Sequence, residues 1–181
     1  MRRALPYVLW LAGLGTLAVP SRRATAVQFG PNDVRSVFHI EKSENRNQVH
    51  YGIRLDALCV PVGDAPVFAY WRALQRDPRA TSDLSTLERR AYGIASQRVI
   101  GRRSESGAVM ISLVATPSRA IMVRSHRTRD GCVADARAQI RGTSAVLSVI
   151  YVDVGTFGVR YVELRGQRAS DRRRVDERID D

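Results

Sequence analysis

His39, His50 and Glu41 are the residues of this chain whose types and spacing come nearest to a metal centre. They lie in the stretch VRSVFHIEKSENRNQVHYGIRL, two alternating runs around a polar centre. If the runs pair symmetrically about Glu44-Asn45, His39 faces His50 and Glu41 faces Gln48, with cross-strand Cβ separations of about 5 Å. Two imidazoles and a carboxylate at that spacing can grip one divalent ion, and His126 is the remaining imidazole that could join them. The competing reading is a polar outer face that carries two histidines, because no HxxxH or HExxH spacing accompanies the pair.

Other catalytic chemistry finds less support. No serine stands in a G-x-S-x-G elbow. Asp135, Asp153 and Glu163 sit in alternating runs where outward charge is expected, and Gly142 and Gly166 read as turn glycines. No catalytic residue is assigned and no cofactor is implied, so an enzyme built on the His39/His50 face is the alternative reading. Cys59 and Cys132 are expected to form a disulfide if the chain is exported, since an even pair in an oxidising compartment usually bridges. Closing so long a loop would stabilise the fold by about 4 kcal/mol. Two separate buried thiols are the other possibility.

The elements that must position these residues have mostly a period of two. In the symmetric register of the first hairpin Phe38 faces Tyr51, Ile40 faces Val49, Ser36 faces Ile53 and Val34 faces Leu55, which makes one face almost wholly apolar. Val67 to Arg72 reads as a covered strand opened by Pro66. Ser85-Thr86-Leu87-Glu88 has capping-box spacing and predicts one short helix from Thr86 to Ala91, ended at Gly93 in a left-handed cap. Alternation then continues almost to the end, with turns at Gly101 to Gly107, Thr116 to Ser118 and Thr128 to Gly131. Cys132, Ala134, Ala136, Ala138 and Ile140 share one face, so that strand approaches another layer closely or leaves space inside. Regular strands with turn signals between them predict an all-β fold, an antiparallel β-barrel or barrel-like sandwich of about eight or nine strands with one short helix.

Eight aromatic side chains, Phe38, Tyr51, Phe68, Tyr70, Trp71, Tyr92, Phe157 and Tyr161, either fill the core or line a pocket. A closed barrel of this size can hold one small apolar ligand. Ala134, Ala136 and Ala138 opposite Tyr51 and Trp71 would then be its walls.

The chain opens Met-Arg-Arg, continues through the apolar run Ala4 to Pro20 and reaches Ala24-Thr25-Ala26. That pattern predicts a secretory signal peptide over residues 1–26, and the run is too short and too interrupted by Pro and Gly for a spanning helix. Residues 27–168 then form a single β-rich domain, and 169–181 a charged tail or last edge strand. Export places the protein in the periplasm or outside the cell, as no integral membrane protein. Of 29 basic residues four lie in the leader, which leaves 25 against 18 acidic ones, a net charge of +7. Lys42 is the only lysine. A basic surface of this kind can adhere to anionic envelope components. Nucleic acid is not expected, because arginines alternate with acids and no aromatic platform accompanies them.

The phrases VFHIEKSENRNQVHYGIRL, PVFAYWRAL, LSTLERRAYGI, RGTSAVLSVIYVDV and VRYVELRGQ followed by ERI resemble the bacterial domain-of-unknown-function family 4833 from about Val37 to Ile179. The resemblance implies an exported, envelope-associated β-rich domain and brings no established activity. It draws attention to Asn45 and Asn47, whose short polar side chains can hold a strained turn by bonding their own backbone, and to Tyr70 and Trp71. With Tyr51 and Tyr92 these make up the expected ligand-binding set. The function expected is an envelope binding or structural module of unknown partner, with a small apolar ligand or an envelope component as its cargo. A module that recruits a partner by strand addition at an exposed edge is the further alternative.

Overall fold

A computed structural model describes residues 34–74, 80–156 and 158–180. The expected leader, Phe157 and the final residue lie outside them.

β1 (Val34–Lys42) and β2 (Asn45–Arg54) form the expected hairpin. Phe38 stands opposite Tyr51, His39 opposite His50 and Ile40 opposite Val49. Register shifts toward both ends of β1 displace the remaining pairs, so Ser36 faces Gly52, Val34 faces Arg54, and Lys42 faces Asn45 across a Ser43-Glu44 turn. An extra residue in one strand moves every pair beyond it, which a symmetric register does not anticipate. β3 (Val67–Arg72) pairs with β2, and the three-residue β4 (Thr81–Asp83) with β3.

The helix α1 (Thr86–Tyr92) starts at the expected capping box, with Ser85 Oγ accepting from the Glu88 amide and the Glu88 carboxylate accepting from the Ser85 amide. Gly93 ends it in an extended conformation, φ −70°, rather than a left-handed one. Glycine is needed there for a different reason. A Cβ at this position would lie 2.2 Å from the Arg89 carbonyl oxygen.

A meander follows through β5 (Ile94–Arg103), β6 (Ser106–Leu113), β7 (Thr116–Thr128), β8 (Gly131–Ile140) and β9 (Thr143–Gly155), and β10 (Gly158–Arg168) and β11 (Arg174–Asp180) complete the chain. The charged tail therefore carries a paired edge strand, with Val175 and Ile179 packed against the core. The expected turn at Thr116 to Ser118 is displaced. It falls at Val114-Ala115, and Thr116 opens β7 with its side chain buried.

Among the described residues the fold is all-β apart from α1, as expected, but its eleven strands form one mixed sheet that does not close. The cause lies in β9. Its first half pairs with β8, its second half runs parallel to β1 from Val149 to Val152, and along its other edge it pairs with β10. A strand with three neighbours divides the sheet into two branches, which a single closed ring of antiparallel strands does not allow. The branches curl toward each other at β3 and β5. There a side chain takes the place of strand pairing: the Gln97 amide donates to the Val67 carbonyl and accepts from the Val67 N–H, both at 3.1 Å.

Between the branches lies a continuous core that includes Phe38, Ile40, Val49, Tyr51, Ile53, Val109, Ile111, Ile121, Ala136, Leu147 and Ile150. Each of the large side chains contributes roughly 1.5–3 kcal/mol by burial. Phe38 and Tyr51 stack with centroids 4.4 Å apart. Ala136, Ala138 and Tyr51 are buried in this core, with Ala134 and Trp71 partly buried against it, so the walls expected of a hollow are core side chains. Small side chains on β8 let the layers approach.

One end is plugged by the connection between β2 and β3. The Cys59–Cys132 disulfide, closing 73 positions, joins it to β8. Ser125 donates to the Cys59 carbonyl at 2.7 Å, Arg127 to that of Ala57 at 2.7 Å and Arg102 to that of Gly63 at 2.5 Å. A Cβ at Gly107 would meet Pro61 at 2.0 Å, so this loop lies directly on β6. Among the described residues no helix is long and apolar enough to cross a membrane.

Candidate functional site

The opposite end of β7, roughly 30 Å away at about 3.3 Å per residue, is where space opens. β7 pairs with β8 only from Met122 to Thr128, and from Thr116 to Ile121 it has β6 alone as a strand partner. Glu177 of β11 spans the gap. Its carboxylate accepts from the Arg141 N–H at 2.7 Å and from the Arg119 guanidinium. Burial opposes ionisation of Glu177, but these donors outweigh it and hold the carboxyl below its usual range.

Above this strut lies a cavity of about 430 Å³, with Tyr92, Ala115, Thr116, Val152, Val162 and Ile179 among its walls. Its size falls within the roughly 300–1,000 Å³ of small-molecule sites. The Thr116 hydroxyl is buried in this wall and has no hydrogen-bond partner among the described residues, and the same holds for the nearby Trp71 indole N–H. Buried polar atoms are rarely left unpaired, so each marks a place where a partner fits.

The Lys42 ammonium stands beside this cavity, 5.1 Å from the Trp71 ring centroid and 5.4 Å from that of Tyr92. Tyr92 belongs to both groups, and Lys42 is the parallel-strand neighbour of Val152 in the cavity wall. Four elements build the arrangement: the end of β1 presents Lys42, β3 presents Trp71, the end of α1 presents Tyr92, and β9 presents Val152. Ser43 fixes the turn next to the lysine, since its backbone N–H donates to the Val152 carbonyl and its hydroxyl accepts from the Val154 N–H at 2.9 Å. Trp71 and Tyr92 meet edge to face at 6.2 Å. Burial, with the negative charges of Glu44 and Glu88 adding to it, raises the Tyr92 phenol above its ordinary pKa and keeps it neutral.

The expected ligand set divides between two faces of the sheet. Asn45 holds the turn next to Lys42, its side-chain Oδ1 accepting from the Asn47 backbone N–H at 3.0 Å. Tyr92 lines the cavity, and Trp71 packs edge to face against it. Tyr51 is fully buried beneath it and its hydroxyl donates to the Tyr92 carbonyl at 2.6 Å. Tyr70 alternates to the other face, where it stacks on His50 at 5.7 Å.

His39, His50 and Glu41 lie together on that other face. The imidazoles stack nearly parallel, centroids 5.0 Å apart. Three of their four nitrogens are engaged in a chain of hydrogen bonds: Ser36 Oγ with His50 Nδ1 at 3.2 Å, His50 Nε2 with Gln48 Oε1 at 2.8 Å, Gln48 with Glu41 at 3.0 Å, and His39 Nε2 with the same Glu41 oxygen at 2.9 Å. The Gln48 carbonyl oxygen accepts only, which places the His50 proton on Nε2. Burial, then repulsion from His39 and Arg72, lowers the His50 pKa to about 4. Parallel stacked rings aim their nitrogens past one another rather than at one ion. Among the described residues no group of three or more His, Cys, Asp or Glu is placed to hold a metal.

Sequence reasoning did not single out Lys42, Ser43, Thr116 or Val152 as site residues. Lys42 did carry a signal, as the one lysine in a chain rich in arginine and as the continuation of the Phe38-Ile40 face.

With this geometry in place, comparison with known proteins identifies the family. The chain belongs to the family described as domain of unknown function DUF4833, which matches residues 38–178. No curated protein and no solved structure matches the chain.

Proposed function

We propose that this domain is an exported binding module of the cell envelope that carries a small, mainly apolar ligand in the cavity between α1, the start of β7 and β9 to β11. The observation that carries this reading is the apolar cavity of about 430 Å³ whose wall holds the Thr116 hydroxyl, which has no partner among the described residues. An apolar enclosure with one or two placed polar groups has the chemistry of a small-molecule site. The His39/His50 face has the opposite character, because both nitrogens of His50 and the Gln48 amide are already engaged by neighbouring side chains.

Calorimetric titration with decan-1-ol tests the reading. Saturable binding by the wild type, lost in Ala115→Phe where the new ring occupies the cavity, supports it. A wild type that takes up no alcohol, or a variant that binds it equally well, contradicts it. Export is part of the same proposal and is supported by the leader pattern and the disulfide. Protein recovered from the envelope fraction should begin at Val27; an intact N-terminus there would rule out cleavage.

A further inference from the structure

Resting on that reading, we infer that Lys42 is the recognition point for an anionic head group, so that the ligand is an acidic amphiphile with its apolar part in the cavity and its acid on the Lys42 ammonium. The placement of the lysine carries the inference. Lys42 is half-buried at the end of the apolar face of β1, between two aromatic rings, and among the described residues it makes no ion pair. The comparably buried arginines do: Arg119 pairs with Glu177, Arg137 with Asp135 and Arg165 with Glu163.

Two ring faces attract an ammonium by about 0.5–2 kcal/mol each, depending on desolvation, but they neutralise none of its charge. A half-buried cation with no ion pair among the described residues is therefore left beside an apolar hole. Choice of residue fits the task. An ammonium is a compact point charge that fits between the Trp71 and Tyr92 rings, whereas a guanidinium is a wide planar fork. Lys42 is the single lysine among 29 basic residues.

The cation in the cavity wall itself is already engaged. Arg119 lines the cavity but is engaged by Glu177, and Asp180 lies at the β11 side. Glu44 and Glu88 act electrostatically on Tyr92, and Glu88 is held by its capping bond to Ser85. Thr116 offers a hydroxyl in the cavity wall, and Trp71 an N–H from the ring beside Lys42.

The test compares decanoic acid, decyl phosphate and decan-1-ol on the folded wild-type protein and on Lys42→Met, which keeps an apolar chain between the rings. One charge-assisted contact is worth roughly tenfold in affinity. At least one of the two anions should bind the wild type about tenfold more tightly than the alcohol, and that preference should vanish in Lys42→Met while alcohol binding stays within about twofold. The retained alcohol binding also shows that the variant is folded. If alcohol and both anions bind the wild type equally, or if the anion preference survives in Lys42→Met, the head-group inference fails and the cavity reading stands. If no probe binds the wild type, both fail together.

Discussion

The Tyr51 hydroxyl, from the centre of the first hairpin, donates a 2.6 Å hydrogen bond to the Tyr92 carbonyl at the end of α1. The residue that walls the cavity and flanks Lys42 is therefore tied directly to the most buried part of the core.

Tyr51→Phe removes that tie and keeps the ring stacked on Phe38. The Tyr92 carbonyl loses its side-chain donor, so the fold should lose about 1–2 kcal/mol, read as a lower urea midpoint. Near-ultraviolet dichroism of the Trp71-Tyr92 pair should weaken as well. An unchanged midpoint and spectrum would show that α1 is held by other contacts.

Much of this frame is legible in the residues themselves. The centre of the β1–β2 register follows from apolar alternation, because a one-residue slip would turn Phe38, Ile40, Val49 and Tyr51 to solvent. The start of α1 is written in Ser85 and Glu88. The tail strand and the branching at β9 are less legible. Whether Val149 to Val152 meets β1 in parallel depends on how two distant segments pack, and no local period encodes it. Turn chemistry misleads at Pro117 and Ser118, since pairing of Leu113 with Thr116 forces the turn onto Val114-Ala115. The site is hidden for a related reason. Lys42 reads as the end of an apolar run until β3 and α1 bring Trp71 and Tyr92 to it.

Glu177 holds β11 to β7 and to the β8–β9 turn, and Glu177→Gln should cost about 2 kcal/mol at pH 7 through the loss of its charge-assisted bonds. Its folded pKa is depressed, so this stabilisation is present above the unfolded value near 4.3 and is lost as pH falls through the folded one. Urea midpoints of wild type and variant should differ at pH 7 and converge in acid. A constant difference would mean that the ionised carboxylate is not what holds the strand.

His50 titrates in the opposite sense from a histidine that gains a partner charge. Its folded pKa of about 4 lies below the unfolded 6.5, so the unfolded chain takes up the proton first and stability falls as pH drops between those values. Replacing His50 with Phe should reduce the pH slope of stability in this window by about one proton. An unaltered slope would show that His50 accepts its proton in the native state as easily as in the unfolded chain.

The central claim is that the space beside Tyr92 receives a ligand, and a methyl NMR titration with decan-1-ol tests it most directly. Signals of Ala115, Thr116, Val152, Val162 and Ile179 should shift and saturate together, while those of Ala136 and Leu147 in the packed core stay in place. Saturable shifts confined to residues around His39 and His50, or no saturable shift at all, would contradict it.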